Sequence, residues 1–302
     1  MPLQTISQAG LDKRLEPVKG NEFRYIIDNL NEMVAAKSKR YRPYASGLDC
    51  PRKVWFYANT DSGPTVNPAT MKLYQEVGNT FEEVIVNGFR NNEKLLGAQV
   101  KLPNPPKRYG VNVGGYIDMV ALDSTGQIAA YEIKTCKTLP SEPKPSHLSQ
   151  ALVYATLGGF DRVHIVYVSR MVQDWPNPDP LIKVFTINTA DTIEDVAANI
   201  LYSCNLMNGA EAPPRPSHFR KHRECQFCDF TTRCWDGDDV PTLAPDLAHE
   251  ARAAADKIAP EIIKMRKHFY LESLSNAKGS APLYAIPILD KAIAAGNVAL
   301  KH

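Results

Sequence analysis

Apolar and polar residues follow two different periods along this chain, and the changes of period mark the predicted elements. Between residues 67 and 89 the apolar positions recur every three or four residues, which predicts an amphipathic helix with Asn67 as N-cap and Pro68 in the first turn. Its apolar stripe comprises Leu73, Val77, Phe81, Val84, Ile85 and Phe89. Strand-like patterns then follow at residues 96–101, 110–122 and 128–136.

A second series of helices and strands follows, and proline-rich connectors separate its members. The predicted order is a helix from Ser146 to about Leu157, strands near 162–169 and 181–187, a helix from Thr189 to Met207 and an amphipathic helix at 245–275. The overall order α-β-β-β-α-β, with one more strand behind it, is typical of an α/β domain. From about Ser280 the pattern is weak.

The N-terminal region also has helical periodicity, over residues 22–36, and Ser46 could cap a short helix that carries Cys50 and Trp55. The chain has 302 residues, 44% of them hydrophobic and 23% charged, which suits one large domain with appendages. It begins without a signal-peptide pattern, and no segment approaches eighteen uninterrupted apolar residues. These features predict a soluble, cytoplasmic protein.

Positive residues cluster at two places, although the formal net charge is only +2. The clusters are Lys37, Lys39, Arg40 and Arg42, and Arg215, Arg220, Lys221 and Arg223. Both flank cysteine-containing segments, and each suits either a solvated surface or a contact with phosphate.

Four cysteines have the spacing of a ligand set. Cys225, Cys228 and Cys234 form a compact group, and Cys50 lies far upstream. In a cytosolic chain such thiolates more often hold a metal or an iron–sulfur cluster than form disulfides. Tetrahedral zinc is also possible, with His218 or His222 replacing one thiolate.

The two other cysteines have no predicted ligand role. Cys204 lies on an apolar helical stripe, where a small core residue is expected, and Cys136 is assigned no function.

Two carboxylates and a lysine in the predicted strands suggest phosphodiester hydrolysis. Asp118 ends the run Gly-Tyr-Ile-Asp, while Glu132 and Lys134 share one face of the next strand. Together with the Ile133 carbonyl, these carboxylates could bind Mg²⁺ or Mn²⁺, and Lys134 could orient water or offset phosphate charge. An exposed, merely charged hairpin is the alternative.

Three more residues could belong to the same site. Glu82 borders the apolar face of its predicted helix, where a carboxylate needs a partner, so it is a candidate metal ligand or else a rim residue in solvent. Gln150 and Tyr154 are four apart on a helix and therefore share a face, on which they could hold a nucleotide or position the ligands.

Taken together, these motifs resemble the RecB-like branch of the PD-(D/E)XK nucleases, specifically its iron–sulfur exonucleases, typified by the CRISPR-associated RecB-like exonuclease and the AddB nuclease domain. The matching pairs are Gly78 and Glu82, Gly115 and Asp118, Glu132 and Lys134, and Gln150 and Tyr154, with one cysteine before the core and three after it. Many relatives have histidine at the position of Glu82. The resemblance covers about residues 41–236.

The resemblance implies a restriction-endonuclease-like core in which helices flank a central mixed sheet, stapled by a [4Fe-4S] cluster on Cys50, Cys225, Cys228 and Cys234. It implies a Mg²⁺- or Mn²⁺-dependent deoxyribonuclease that acts on DNA ends, commonly single-stranded, with Asp118, Glu132, Lys134, Gln150 and Tyr154 in its site and with partners in recombination, repair or CRISPR-type systems. The expected domains are a helical segment at 1–66, the nuclease core at 67–209, the cysteine knuckle at 210–236 and a helical extension at 237–302. A structure-specific endonuclease and a non-catalytic DNA-binding subunit are the alternatives.

Overall fold

The computed structural model describes residues 50–59, 68–111, 113–170, 181–189, 193–207, 209–215, 221, 225, 228, 230–236 and 243–300. Several predictions lie outside these ranges: the helix at 22–36, the caps Ser46 and Asn67, the first basic cluster, Arg220 and Arg223 of the second cluster, and the histidines His218 and His222.

The described elements follow the predicted order closely. The helices are α1 (Pro51–Asn59), α2 (Pro68–Asn91), α3 (Pro145–Leu157), α4 (Ile193–Met207), α5 (Thr231–Asp236), α6 (Pro245–Lys264), α7 (Arg266–Ala277) and α8 (Ile286–Leu300). The strands are β1 (Leu95–Lys101), β2 (Tyr116–Leu122), β3 (Ile128–Cys136), β4 (Arg162–Ser169) and β5 (Ile182–Asn188). Short 3₁₀ turns occupy Lys107–Tyr109, Lys278–Ser280 and Leu283–Ala285.

The five strands form one mixed sheet in the order β1-β2-β3-β4-β5. Neighbours are antiparallel except β3 and β4, which are parallel because α3 carries the chain back across the sheet between them. The predicted α/β core, a central mixed sheet flanked by helices, is therefore confirmed.

Alternate residues of the strands enter two separate apolar cores, one on each face of the sheet. On one face, α2 covers β1, β2 and β3 through Phe81, Val86 and Phe89. On the other face, α3 and α7 lie against the strands, α4 packs on α3 and α6 packs on α4, in a larger core that includes the buried side chains of Ile165 and Tyr167.

The apolar stripe predicted for α2 is correct only in part. Phe81, Ile85 and Phe89 pack on the sheet, but Leu73 is 58% exposed and Val84 is 63% exposed. A helix of 24 residues is about 36 Å long, whereas the three strands it crosses span only about 10 Å, so one layer of strands does not cover the whole stripe.

The largest differences between predicted and observed bounds concern three elements. The strand expected at 110–122 begins at Tyr116, and the helix expected from Thr189 begins at Ile193. The helix expected at 245–275 is two helices that meet at Met265. At this break Arg266 donates to the carbonyls of Ala155 and Phe160, which brings α7 against the C-terminal end of α3.

The weakly patterned C-terminal segment contains the helix α8. Only Leu289 of this helix is fully buried, which explains why its sequence lacks a strong amphipathic pattern. Within the described residues, Leu283–Leu300 is the one segment long and apolar enough to cross a membrane, with a mean hydropathy of 1.3. Length and composition do not distinguish a membrane span from a surface helix, and α8 packs along α7, where Gly296 lies against Leu271.

Candidate active site

The strands β2 and β3 separate at Asp118, and this separation creates the candidate site. Their ladder runs from the pair Leu122 and Ile128 to the pair Met119 and Tyr131. Beyond that pair, the Ile133 N–H donates to Asp118 Oδ2 at 2.8 Å. A side chain thus replaces a backbone partner, and the hydrogen bond holds the Asp118 carboxylate beside Glu132 and Ile133 of β3.

Glu132 and Lys134 lie on one face of β3, next to this gap. The Glu132 side chain is fully buried, and the Lys134 ammonium contacts it directly in a salt bridge. Burial alone would lower the pKa of Lys134, but the negative charges of Glu132 and Asp118 outweigh burial and raise it. Lys134 therefore remains a cation.

The carboxylates of Asp118 and Glu132 together carry more negative charge than the neighbouring Lys134 neutralises. Both oxygens of Glu132 are buried, and the Lys134 ammonium is the cation that contacts this carboxylate. Burial raises the pKa of Asp118 well above its usual value, and the charges of Glu132 and Glu82 raise it further. Two neighbouring carboxylates with one lysine cation between them leave an excess of negative charge, which is costly away from solvent unless a further cation joins them. The donor set suits a hard divalent ion.

Glu82 reaches the same region from α2. Burial raises the pKa of Glu82, and among its neighbours Glu132 raises it further while Lys134 opposes the rise. The amide of Gln99 donates to Glu82 Oε1. The adjacent Glu83 is exposed, whereas Glu82 is half-buried, which agrees with the position predicted for Glu82 at the border of the apolar face. Within the described residues, no three His, Cys, Asp or Glu side chains are grouped so that they could hold a metal ion as they stand.

Gln99 is a polar neighbour that the sequence did not reveal. Its backbone has φ of 50°, a left-handed conformation that is uncommon for a residue other than glycine. The pairing of β1 with β2 also shifts register between Leu95 and Gly97. This bulge re-aims the strand, so that Gln99 turns toward Glu82.

Gln150 and Tyr154 share one face of α3 and form a chain of hydrogen bonds to β2. Gln150 Nε2 donates to the Tyr154 hydroxyl at 2.6 Å, and this hydroxyl donates to the Tyr116 carbonyl at 2.8 Å. Burial raises the pKa of Tyr154 well above its usual value, and the charges of Glu132 and Asp118 add to the rise. The pair therefore braces the start of β2, two residues before Asp118.

One cavity is lined by Cys50, Cys225, Cys228 and Cys234. Cys50 precedes all five strands in the sequence, and the other three cysteines follow them. All six cysteines of the chain are thiols. Backbone bonds shape the knuckle: the Cys228 N–H donates to the Cys225 carbonyl at 3.0 Å, and the Cys234 N–H donates to the Phe230 carbonyl at 2.8 Å. Thiols are the donors that a thiophilic metal or cluster prefers, although no three of these four are grouped closely enough to hold a metal ion as they stand.

An aromatic core supports this cavity from α1. The rings of Phe56 and Phe230 stack at 5.0 Å, and Trp55 Nε1 donates to the Gly209 carbonyl at 2.9 Å. Arg215, which belongs to the second basic cluster, lies over the Trp235 ring and donates to the Cys234 carbonyl at 3.0 Å. Arg215 thus takes part in the packing of the cysteine region.

Cys204 and Cys136 are both buried away from this cavity. Cys204 is 1% exposed on α4, and Cys136 at the end of β3 lies 3.6 Å from the Val168 carbonyl. Burial raises the pKa of the Cys136 thiol. Both side chains are packed in the core, as structural cysteines are.

Comparisons with known proteins bear on the family. The fold is similar to the crystal structure of SSO0001, with 16% sequence identity and a TM-score of 0.46. The aligned region covers 72% of this chain and 98% of the SSO0001 chain. No curated protein matches significantly. The profile of the PD-(D/E)XK nuclease superfamily matches residues 28–235, which is more than half of the chain. The chain therefore belongs to the PD-(D/E)XK nuclease superfamily.

Proposed function

We propose that this protein is a metal-dependent DNA exonuclease that acts on single-stranded ends and has a structural [4Fe-4S] cluster. The observation that supports the nuclease assignment most directly is the grouping of the buried Glu132 carboxylate and the half-buried Asp118 carboxylate beside the cation of Lys134. Superfamily membership implies DNA as the substrate. The end preference and the cluster rest on the motif resemblance.

Asp118, Glu132 and the backbone carbonyl of Ile133 would hold Mg²⁺ or Mn²⁺, with Glu82 as a further ligand. Such an ion, when bound, polarises the scissile phosphate and lowers the pKa of the attacking water. The donor set is all oxygen, as these ions require. The N–H of Ile133 fixes the Asp118 carboxylate, and the amide of Gln99 fixes Glu82.

Lys134 supplies positive charge at the reacting phosphate. It lies in a salt bridge with Glu132, and its raised pKa keeps it protonated near neutral pH. A fixed cation stabilises the negative charge that develops on the phosphate oxygens in the transition state. Gln150 and Tyr154 position β2 beneath this site.

Glu82→Gln is expected to lower the cleavage rate about tenfold and to raise the Mn²⁺ concentration for half-maximal rate. The substitution keeps the size of the side chain but removes a negative charge that would face the ion. Titrating the cleavage rate with Mn²⁺ measures both effects.

Glu83→Gln is the matched control for Glu82→Gln, because Glu83 is exposed on the same turn of α2. We expect it to leave the rate and the metal dependence unchanged. Equal effects at the two positions would mean that another residue completes the acidic site.

The four cysteines of the cavity would hold the cluster. One thiol from before the core and three from after it match the family's [4Fe-4S] arrangement, and the aromatic lining from Phe56 and Trp235 shields such a cluster from solvent. Structural zinc is the alternative, because four thiolates also suit a tetrahedral ion. Analysis of iron, sulfide and zinc in anaerobically purified protein distinguishes the two.

A digestion time course tests the function. End-labelled linear single-stranded DNA and a closed single-stranded circle are incubated with Mn²⁺, and with chelator as a control. An exonuclease degrades the linear DNA and spares the circle, whereas a structure-specific endonuclease cuts the circle. DNA binding without any Mn²⁺-dependent cleavage would favour a non-catalytic subunit. The expected cytoplasmic location, the domain division and the partners in recombination, repair or CRISPR-type systems remain predictions.

A further inference from the structure

His147 and Tyr167 form a hydrogen-bonded pair next to Lys134, and the proposed mechanism does not use them. Tyr167 lies on β4 directly beside Lys134 of β3 in the parallel ladder, so the two side chains project from the same face. His147 lies on α3, with its ring 5.5 Å from the Tyr167 ring and its Nδ1 2.8 Å from the Tyr167 hydroxyl.

The hydrogen bonds of the Tyr167 hydroxyl determine which ring nitrogen of His147 is protonated. The Lys144 backbone N–H donates to this hydroxyl at 3.0 Å. The Tyr167 side chain is fully buried, so its own proton needs an acceptor, and His147 Nδ1 is at hydrogen-bond distance. A neutral imidazole that accepts at Nδ1 has its proton on Nε2.

The surroundings of His147 keep it in the neutral form. Burial lowers its pKa to about 3, and the positive charges of Lys134 and Lys144 act in the same direction. The ring therefore presents a neutral Nε2–H donor near neutral pH. Within the described part of the chain, no residue accepts a hydrogen bond from this Nε2, and the side chain is only half-buried.

His147 stands on the face of α3 that borders the candidate site. His147, Gln150 and Tyr154 are spaced three and four apart, so they lie on one helical face. Tyr154 marks the Asp118 end of this face, through its bond to the Tyr116 carbonyl, and His147 marks the Lys134 end. The seven-residue separation spans about 10 Å, which places the donor to one side of the metal-binding carboxylates.

We infer that the Nε2–H of His147 donates a hydrogen bond to a DNA phosphate adjacent to the scissile one, and that the Tyr167 hydroxyl holds the imidazole in the orientation this contact needs. The inference rests on the proposed nuclease function, since it concerns the substrate of that site. A neutral donor next to a lysine suits an anionic oxygen acceptor, and backbone phosphates are the groups of DNA that any sequence presents. Tyr167 is a positioning residue.

The first test measures DNA affinity and kinetics. Binding of a fluorescent single-stranded oligonucleotide is measured in Ca²⁺, and kcat and KM are measured in Mn²⁺. His147→Ala is expected to raise Kd and KM roughly tenfold, the effect of one hydrogen bond to a charged group, with kcat changed by less than about twofold. His147→Gln, which retains a donor near the Nε2 position, is expected to recover most of the affinity.

Tyr167→Phe separates orientation from general packing, because it keeps the buried ring and removes only the hydroxyl. We expect a smaller rise in Kd and KM in the same direction. If Tyr167 acts through His147, the double variant binds no more weakly than His147→Ala alone. Additive losses would overturn the positioning role. His249→Ala is the matched control, because His249 is exposed on α6 in the outer helical layer.

The second test replaces single phosphates of the oligonucleotide by uncharged methylphosphonates, one at a time. Wild-type protein should lose affinity at one phosphate next to the cleaved bond, and His147→Ala should be insensitive at that position while it responds normally elsewhere. Tyr167→Phe should show the same insensitivity in weaker form, which provides the readout if His147→Ala does not fold. Identical profiles for wild type and both variants would overturn the inference.

The outcomes separate this inference from the proposed function. If cleavage depends on Asp118 but the phosphate profile does not depend on His147, the function stands and the inference fails. If the protein binds DNA with a His147-dependent profile but never cleaves it, the nuclease proposal fails and the contact stands. If the protein does not bind DNA, both fail.

Discussion

Asp118→Asn is expected to lower the rate of DNA cleavage roughly a thousandfold or more and, at the same time, to raise the stability of the metal-free protein. The rate falls because the substitution removes a charged metal ligand, and bound metal contributes several kcal/mol of transition-state stabilisation. The asparagine oxygen can still accept the hydrogen bond from the Ile133 N–H, so the local geometry is retained. Single-turnover cleavage in Mn²⁺ measures the rate.

The gain in stability follows from the pKa of Asp118. Burial and the neighbouring carboxylates raise this pKa in the folded protein, so the folded state binds a proton more tightly than the unfolded chain does. The contribution is fully present below the ordinary value of 3.8, and it is lost as the pH rises through the raised value. At neutral pH the ionised Asp118 therefore destabilises the metal-free fold, and asparagine relieves this cost. Thermal unfolding in chelator should show a higher Tm for the variant, by a margin that narrows toward acid pH.

Asp123→Asn is the matched control, because Asp123 lies at the end of the same strand in the opposite electrostatic setting. Burial alone would raise its pKa, but hydrogen bonds from Thr125, Arg162 and the Gln127 N–H outweigh burial and lower it. Its stabilising contribution is present above the ordinary value and is lost as the pH falls through the lowered one. We expect Asp123→Asn to cost about 1–2 kcal/mol at neutral pH, with cleavage by the folded protein retained. Loss of cleavage at both positions would show that the acidic site is not specific to Asp118.

The sequence predicted the sheet well because its strands are buried and densely apolar. The bounds of β3 and β4 agree with the prediction at every residue, since both strands lie in the centre of the sheet and their period is uninterrupted. The C-terminal helix α8 lies within the expected helical extension but has only a weak pattern, because a helix with a single fully buried residue has little periodicity to detect. The hydrophobic pattern reflects burial, so it is weak in an element that buries few side chains.

The sequence does not predict contacts between side chains that only the tertiary structure brings together. Gln99 reaches Glu82 only because β1 contains a register shift and a residue with positive φ, neither of which has a signal in the sequence around it. His147 lies near Lys134 because it is hydrogen-bonded to Tyr167, and Tyr167 lies beside Lys134 in the parallel pairing of β3 with β4. The motif residues were found because their spacing within single elements fixes their faces, whereas these partners come together only across elements.

Cys50→Ser is expected to lower the stability of the protein strongly. Wild-type protein purified anaerobically should contain about four iron and four sulfide per chain if the cavity holds a [4Fe-4S] cluster. Serine is close in size to cysteine, and the Cys50 carbonyl that accepts the Lys53 N–H at the start of α1 is unaffected, so the substitution tests the thiolate itself. We expect loss of iron and of several kcal/mol of unfolding free energy, because the energy of binding a structural metal group is part of the folding energy. The loss should extend beyond the knuckle, since Cys50 joins α1 to residues far along the chain and α1 packs on α4. Hydrogen exchange should therefore become faster in the sheet as well as near Cys228.

Cys204→Ala is the control, because this thiol is buried on α4 outside the cavity. We expect this variant to retain iron and to lose only about 1 kcal/mol of unfolding free energy. Stoichiometric zinc without sulfide would replace the cluster with a structural zinc site, and a Cys50→Ser protein with full metal content and unchanged unfolding would remove Cys50 from the ligand set.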